Sequence, residues 1–141
     1  MQHAIPSQAY KELGEKLINE MPELAYIKVS NVKIAYLVSD LAKTKDRKPV
    51  FADTEIIPDK YKWGMQDDFS ITIYHPNAAV FTEQQREILL FQQLLKIGID
   101  YDDIANEEKY SLNEPDVVEF SVIIKRYGAN WKEQPTLFDE E

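Results

Sequence analysis

Residues 82–98 read Thr-Glu-Gln-Gln-Arg-Glu-Ile-Leu-Leu-Phe-Gln-Gln-Leu-Leu-Lys-Ile-Gly, and this stretch decides the fold. Thr82 and Gln85 have the spacing of a capping box, in which each side chain bonds a backbone amide at the helix start. Residues 88–97 are apolar almost all round, and Gly98 is a typical C-terminal stop. The segment therefore predicts a central helix, the most buried one in the protein, with Leu94 in the core.

Three segments before this helix predict a small β-sheet. They are rich in β-branched and aromatic residues, and they comprise residues 32–38, 50–57 and 68–74. In the third segment apolar and polar residues alternate, which predicts one wet face. The turn-forming sequence His75-Pro76-Asn77 then ends that strand. The lysine-rich stretch at residues 42–48 predicts an exposed loop.

Two further helices are expected to flank the sheet and the central helix. Ser7 can cap a first helix whose apolar residues recur at helical spacing, and Pro22 stops it. A last helix begins near residues 114–115 and runs to Gly128, with Phe120 predicted to be buried. The sequence thus predicts an α+β fold with an N-terminal helix, a central buried helix and a C-terminal helix.

Length and composition favour one domain. The chain has 141 residues, of which 44% are hydrophobic, so it can build one well-formed core but hardly two. We expect a single domain over residues 1–131 and an acidic C-terminal tail over residues 132–141. The absence of cysteine excludes disulfides, thiolate zinc sites and a cysteine nucleophile, and indicates a reducing compartment.

The charge and the hydropathy pattern limit the partners. A formal charge of −9 repels phosphate backbones and anionic membranes, so direct binding to nucleic acid is not expected. A protein that mimics DNA is also acidic, but ordinary solubility explains the charge with fewer assumptions. No segment has the ~20 apolar residues needed to cross a bilayer, and residues 1–10 lack the basic segment and apolar stretch of a signal peptide. These features predict a soluble, cytosolic protein.

The central helix has the frame of a zinc-peptidase helix without its reactive side chains. In the pattern His-Glu-x-x-His, two histidines on one helix face bind zinc and the glutamate acts as general base. Here the five residues are Gln92-Gln93-Leu94-Leu95-Lys96, inside an apolar jacket. Taken alone, this stretch is equally compatible with an ordinary helix that carries a polar stripe.

The wider sequence resembles a known family. Five segments carry the resemblance, namely Val32–Asp40, Ile57–Trp63, Phe69–Asn77, Thr82–Gly98 and Asp116–Trp131. Together they look like the putative phage metallopeptidase family, a zincin-like group. The resemblance implies a zincin-like α+β fold and a phage or prophage origin.

The same resemblance implies where the family's zinc site would lie. Its His, Glu and His correspond to Gln92, Gln93 and Lys96, and a third His would precede the Asp that matches Asp116, at Pro115. Gln92 is a poor zinc ligand, Gln93 cannot accept a proton, Lys96 places a positive charge near the metal, and Pro115 has no side-chain donor atom. We therefore expect no zinc, no cofactor and no catalytic residues.

No substitute metal site is evident. Only His3 and His75 remain, so a three-histidine zinc site is impossible, and His75 is expected to be a turn residue. Asp100, Asp102 and Asp103 lie in a predicted polar loop that lacks the glycine and the terminal glutamate of an EF-hand. A weak divalent-cation site there is the alternative to a solvated loop.

Two function classes follow from these observations. The first is a non-catalytic relative of a phage metallopeptidase that binds a protein partner, in anti-defence or another host interaction, with its acidic charge suited to a basic partner surface. The second is a metal-dependent hydrolase with a non-standard carboxylate site built from residues such as Glu87, Asp102 or Glu119. A tightly held stoichiometric metal would favour the second class.

The tail contains a possible binding motif. Gln134-Pro135-Thr136-Leu137-Phe138 resembles the short Gln-x-x-Leu-Phe peptide that docks on the bacterial sliding clamp. In such peptides Leu and Phe fill an apolar pocket while Gln bonds at the rim, so Gln134, Leu137 and Phe138 are the candidate binding residues. A solvated acidic tail that matches by chance is the alternative.

Overall fold

The structure is a computed structural model that describes residues 4–58, 64, 66–102, 104, 107–113, 123 and 127. In chain order its elements are β1 (Ala4–Pro6), α1 (Gln8–Glu20), a 3-10 helix (Pro22–Leu24), α2 (Ala25–Ser30), β2 (Ile34–Ser39), β3 (Thr44–Lys45), β4 (Lys48–Pro49), β5 (Ala52–Ile56), β6 (Phe69–Tyr74), α3 (His75–Ala78), α4 (Glu83–Leu95), β7 (Ile97–Asp102) and β8 (Glu107–Leu112). This confirms the predicted α+β class.

A mixed four-stranded sheet forms the centre, in the order β1-β2-β6-β5. The three predicted strands are confirmed as β2, β5 and β6. Strands β2 and β6 are parallel, with Tyr36 opposite Ile71, whereas β5 runs antiparallel to β6, with Thr54 opposite the same Ile71. Strand β1, which the sequence did not indicate, adds an antiparallel edge to β2.

Helices α1 and α4 contact each other and supply the helical side of the core. On β6 the residues of one parity, Phe69, Ile71 and Ile73, are fully buried. Ser70 and Thr72, of the other parity, are half-buried, so the face predicted to be wet is only partly exposed. The core therefore lies between one face of the sheet and the two long helices.

The predicted N-terminal helix is confirmed in its start and its end. The Ser7 hydroxyl accepts a hydrogen bond from the Tyr10 amide at 3.2 Å, and α1 ends at Glu20, before Pro22 opens the 3-10 helix. The short helix α2, which was not predicted, follows and ends at Asn31 in the left-handed conformation, with φ 56°. Asparagine tolerates this conformation better than most residues, which explains the stop there.

Helix α4 is confirmed, but its predicted end at Gly98 is wrong. The capping box of Thr82 and Gln85 is present, and the helix ends at Leu95. Gly98 lies in β7, which continues directly from the helix. The reason is Asn113, whose side-chain amide donates to the carbonyls of Leu95 and Ile97 at 3.1 Å each. These bonds satisfy backbone groups at the helix end and fix the start of the strand.

The predicted polar loop at Asp100 and Asp102 is also wrong, because these residues belong to a β-hairpin. Strands β7 and β8 are antiparallel, with Ile97 opposite Leu112 and Asp100 opposite Lys109. Apolar residues of the hairpin pack on the core, as the Phe69 and Tyr110 rings show at 5.3 Å between centroids. The charged residues obscured this strand pattern in the sequence.

Only two positions of the predicted C-terminal helix are described, and both are helical. Ile123 is fully buried, and the Tyr127 ring meets the Phe91 ring edge-on at 6.3 Å. The remainder of that helix, including Phe120, and the tail at residues 132–141 lie outside the described residues. Within the described residues, no helix has the length and apolar character needed to cross a membrane.

Tyr26 provides a pH-dependent test of this packing. Its hydroxyl donates to the Ile97 carbonyl at 2.6 Å, and burial raises its pKa from 10.0 to about 12. A raised folded-state pKa favours the neutral phenol, so this stabilisation is complete below about pH 10 and is lost as the pH rises towards 12. We expect Tyr26→Phe to cost about 1 kcal/mol at neutral pH and to flatten the alkaline loss of stability.

The measurement is urea unfolding at several pH values between 7 and 11.5. Val29→Ala is the control, since Val29 is 85% exposed and does not titrate, so its replacement should change neither quantity. Identical alkaline slopes for the wild type and Tyr26→Phe would contradict the assignment.

Candidate functional site

The C-terminal end of α4 carries Gln92 and Gln93, and Lys96 is its C-cap residue; these are three of the four positions singled out from the sequence. Gln92 and Lys96 are four residues apart, so they share one side of the helix and its end. Both are half-buried, whereas Gln93 is 2% exposed. The three positions are therefore neighbours at one end of the helix. They differ in exposure, because only the Gln93 side chain is buried.

Gln93 is bonded to the edge of the sheet. The Thr54 hydroxyl on β5 lies 2.8 Å from the Gln93 side-chain oxygen and 3.1 Å from the Gln93 carbonyl. The Gln93 side-chain nitrogen donates to the Gln92 side-chain oxygen at 3.3 Å. A buried amide that is left unbonded costs about 1–3 kcal/mol, so these contacts are what permits Gln93 in the core. Sequence reasoning missed this role, because the contact with Thr54 spans 39 residues.

This arrangement does not suit zinc. Zinc sites in proteins use thiolate, imidazole or carboxylate donors, and the three α4 positions offer two amides and an ammonium group. Pro115, the fourth position, lies outside the described residues. Among the residues described, no group of three or more His, Cys, Asp or Glu side chains could hold a metal ion.

The remaining sequence candidates lie apart from α4's C-terminal end. His75 is exposed on the short helix α3, before the N-terminus of α4. Gln92 is the tenth residue of α4 and so lies about 14 Å along the helix axis from its first residue. Glu87 is in the middle of α4 and Asp102 ends β7. His3 and Glu119 lie outside the described residues.

A second polar cluster, which the sequence did not reveal, joins the loop before β3 to the sheet. The Tyr74 hydroxyl donates to Asp53 Oδ2 at 2.8 Å, and the Lys43 ammonium forms an ion pair with the same oxygen. The Lys43 Nζ also lies 5.2 Å from the Tyr74 ring centroid. Asp53 pairs with Thr72 across the strands, so the cluster occupies the face of the sheet that carries the half-buried Thr72.

The electrostatics of this cluster indicate a structural role. Burial, followed by the bond to Asp53, raises the pKa of the Tyr74 phenol. The hydrogen bond to Asp53 is the main cause that raises the pKa of the Lys43 ammonium. Both groups therefore stay protonated at neutral pH, and neither provides a base or a nucleophile. The cluster instead holds the loop against the sheet.

Comparison with known proteins yields one match. The sequence model of a family described as "Putative phage metallopeptidase" matches residues 2–139. Neither a curated protein nor a solved structure matches the chain.

Proposed function

This chain belongs to the putative phage metallopeptidase family, and from that membership we propose that it is a non-catalytic member that acts by binding a protein partner. The proposal has two parts. The chain lacks the family's zinc chemistry, and its scaffold serves recognition instead, in anti-defence or another host interaction inside the bacterial cytoplasm.

The first part rests on the burial and the hydrogen bonding of Gln93. At the position of the general base, this side chain is buried and bonded to Thr54 on β5. A general base must reach the proton that it removes, whereas this amide connects a helix to a strand and cannot accept a proton. Its neighbours Gln92 and Lys96 supply no imidazole for zinc.

The second part rests on the retained scaffold. Helix α4 lies against the edge strand β5, and we assign the whole to a zincin-like arrangement with one domain over residues 1–131. A scaffold without catalytic groups still presents a shaped surface to a partner. Its net charge of −9 suits a basic partner surface.

Zinc binding tests the first part. The native protein is expected to purify without stoichiometric zinc and to show no zinc-dependent rise in melting temperature. The variant Gln92→His, Gln93→Glu, Lys96→His and Pro115→His is expected to gain such a rise, since zinc at about 100 times Kd adds about 2.7 kcal/mol by linkage. A glutamate at position 93 retains an oxygen that accepts from Thr54.

The matched control is the double variant Gln92→His and Lys96→His, which restores two ligands on one helix face and should bind zinc more weakly than the quadruple variant. One zinc per native chain, or a native peptidase activity that chelators remove, would overturn the proposal. A stoichiometric metal other than zinc would favour the carboxylate-based hydrolase.

The tail motif provides a separate test of a specific partner. The full chain is expected to bind purified bacterial sliding clamp with a Kd on the order of micromolar, and Leu137→Ala with Phe138→Ala is expected to abolish this binding. Gln134→Ala should weaken it less, because a rim hydrogen bond contributes less than a filled apolar pocket. Equal retention of the wild type and the double variant on immobilised clamp would exclude this partner.

A further inference from the structure

An exposed cationic hairpin projects from this acidic protein. Strands β3 and β4 form a two-stranded unit of their own, apart from the main sheet. Lys45, Arg47 and Lys48 are all exposed on it. Within the described part of the chain, none of these three side chains makes a hydrogen bond or an ion pair. Their charges are therefore available to a partner.

The backbone at the hairpin tip is unfavourable for Arg47. Asp46 and Arg47 have φ values of 54° and 68°, the combination that a type I′ turn requires. Aspartate suits the first of these positions, but the second favours glycine, and the left-handed conformation costs a residue such as arginine roughly 1–2 kcal/mol. An arginine at this position thus does not serve the stability of the turn.

The cross-strand pair at the tip is also unfavourable. Lys45 lies directly opposite Lys48 in the register of the two strands. Like charges that face each other across a strand pair are destabilising. Two local rules of hairpin stability are therefore broken at once, and such violations are expected at functional sites.

The base of the hairpin is held firmly, in contrast to its tip. The Val50 amide donates to the Lys43 carbonyl at 2.9 Å, and the Asn77 side chain donates to the carbonyls of Lys43 and Val50 at 2.8 and 2.7 Å. The Lys43 ammonium is paired with Asp53. The backbone is therefore fixed on both sides of the hairpin base. The hairpin that carries the three cations is held in one orientation, which lowers the entropy cost of binding.

We propose that the β3–β4 hairpin is a docking surface for a cluster of carboxylates on a partner protein. This inference rests on the proposed protein-binding function, and it adds one acidic contact at the hairpin to the basic surface that suits the rest of the chain. An anionic cluster between Lys45 and Lys48 would relieve their repulsion, and the Arg47 guanidinium suits bidentate carboxylate contacts.

The charge of the chain favours an acidic protein surface over nucleic acid as the partner of the hairpin. Duplex DNA carries one charge per about 1.7 Å over its whole length, and it would meet the remaining acidic surface of a chain with a net charge of −9. A compact acidic patch contacts only the hairpin, since the Debye length is about 8 Å at physiological ionic strength and screens charges farther away.

Fluorescence anisotropy with a labelled poly-L-glutamate peptide tests this proposal. The triple variant Lys45→Ser, Arg47→Ser and Lys48→Ser is expected to bind the peptide on the order of tenfold more weakly than the wild type. The control variant Lys11→Ser, Lys16→Ser and Lys28→Ser removes three exposed lysines elsewhere, with the same change in net charge. It should bind the peptide within about twofold of the wild type. Equal weakening by both variants would overturn the proposal.

Arg47→Gly separates binding from folding. Glycine fits the positive φ of this residue, so the melting temperature should be unchanged or higher while binding of the peptide is weaker. Unchanged peptide binding by this variant would count against the proposal. Tighter binding of a duplex DNA probe than of poly-L-glutamate, lost in the hairpin variant, would reassign the surface to nucleic acid. None of these results depends on the zinc measurements, so a failure of the hairpin proposal can be distinguished from a failure of the proposed loss of zinc chemistry.

Discussion

Phe91→Ala is expected to lower the free energy of unfolding by about 3–5 kcal/mol, the usual cost when a buried phenylalanine is truncated. Phe91 is fully buried in α4 and its ring contacts the edge of Tyr127. The substitution would remove the transfer free energy of the ring and leave a cavity between α4 and the helical position at Tyr127. Because small domains are stable by only about 5–15 kcal/mol, this loss would be a large fraction of the total free energy of unfolding.

Denaturant unfolding followed by far-ultraviolet circular dichroism measures this effect. Val80→Ala is the control, because Val80 lies just before α4 but is 77% exposed, and its change should stay within about 0.5 kcal/mol. If Phe91→Ala cost no more than the control, with an unchanged denaturant slope, the packing of α4 described above would be wrong.

Gly98→Ala is expected to cost about 1–3 kcal/mol, the range for inserting an atom into a packed site. A Cβ on Gly98 would lie 2.9 Å from the Asn113 side-chain oxygen and 3.0 Å from the Ser111 carbonyl, and it would overlap the Ser111 hydroxyl. Asn113 cannot easily move, since its amide group donates to Leu95 and Ile97. The extra methyl should therefore loosen the junction between α4 and the β7–β8 hairpin.

Gly64→Ala is the matched control for this change. No atom of the described residues lies within 4 Å of a Cβ on Gly64, so the same chemical substitution adds no overlap with them. Thermal unfolding of both variants compares them directly. Equal melting temperatures would mean that Gly98 is not enclosed, and a stabilised Gly98→Ala would instead support the discarded view of Gly98 as part of a helix end.

The candidate site was predictable only in its position along the helix. The sequence correctly placed Gln92 and Gln93 on one helix, whose C-cap is Lys96, because the spacing of residues on a helix follows from its period of 3.6. It did not reveal that Gln93 is buried and bonded to Thr54, nor that Lys43, Asp53 and Tyr74 meet. These contacts join residues 10 to 39 positions apart, and no local pattern encodes such a distance.

The sequence by itself determined the elements whose signals are local. Helix α4 follows from the Thr82 capping box and a continuous apolar run, α1 follows from the Ser7 cap, and the core strands follow from their β-branched residues. Tertiary structure alone decided the strand order, the end of α4 and the β7–β8 hairpin. The physical reason is that a strand needs a partner, and here the partner's contribution outweighs the charges at Asp100 and Asp102. The side chain of Asn113 donates to the end of α4, and the glycine that was expected to stop the helix lies in strand β7 instead.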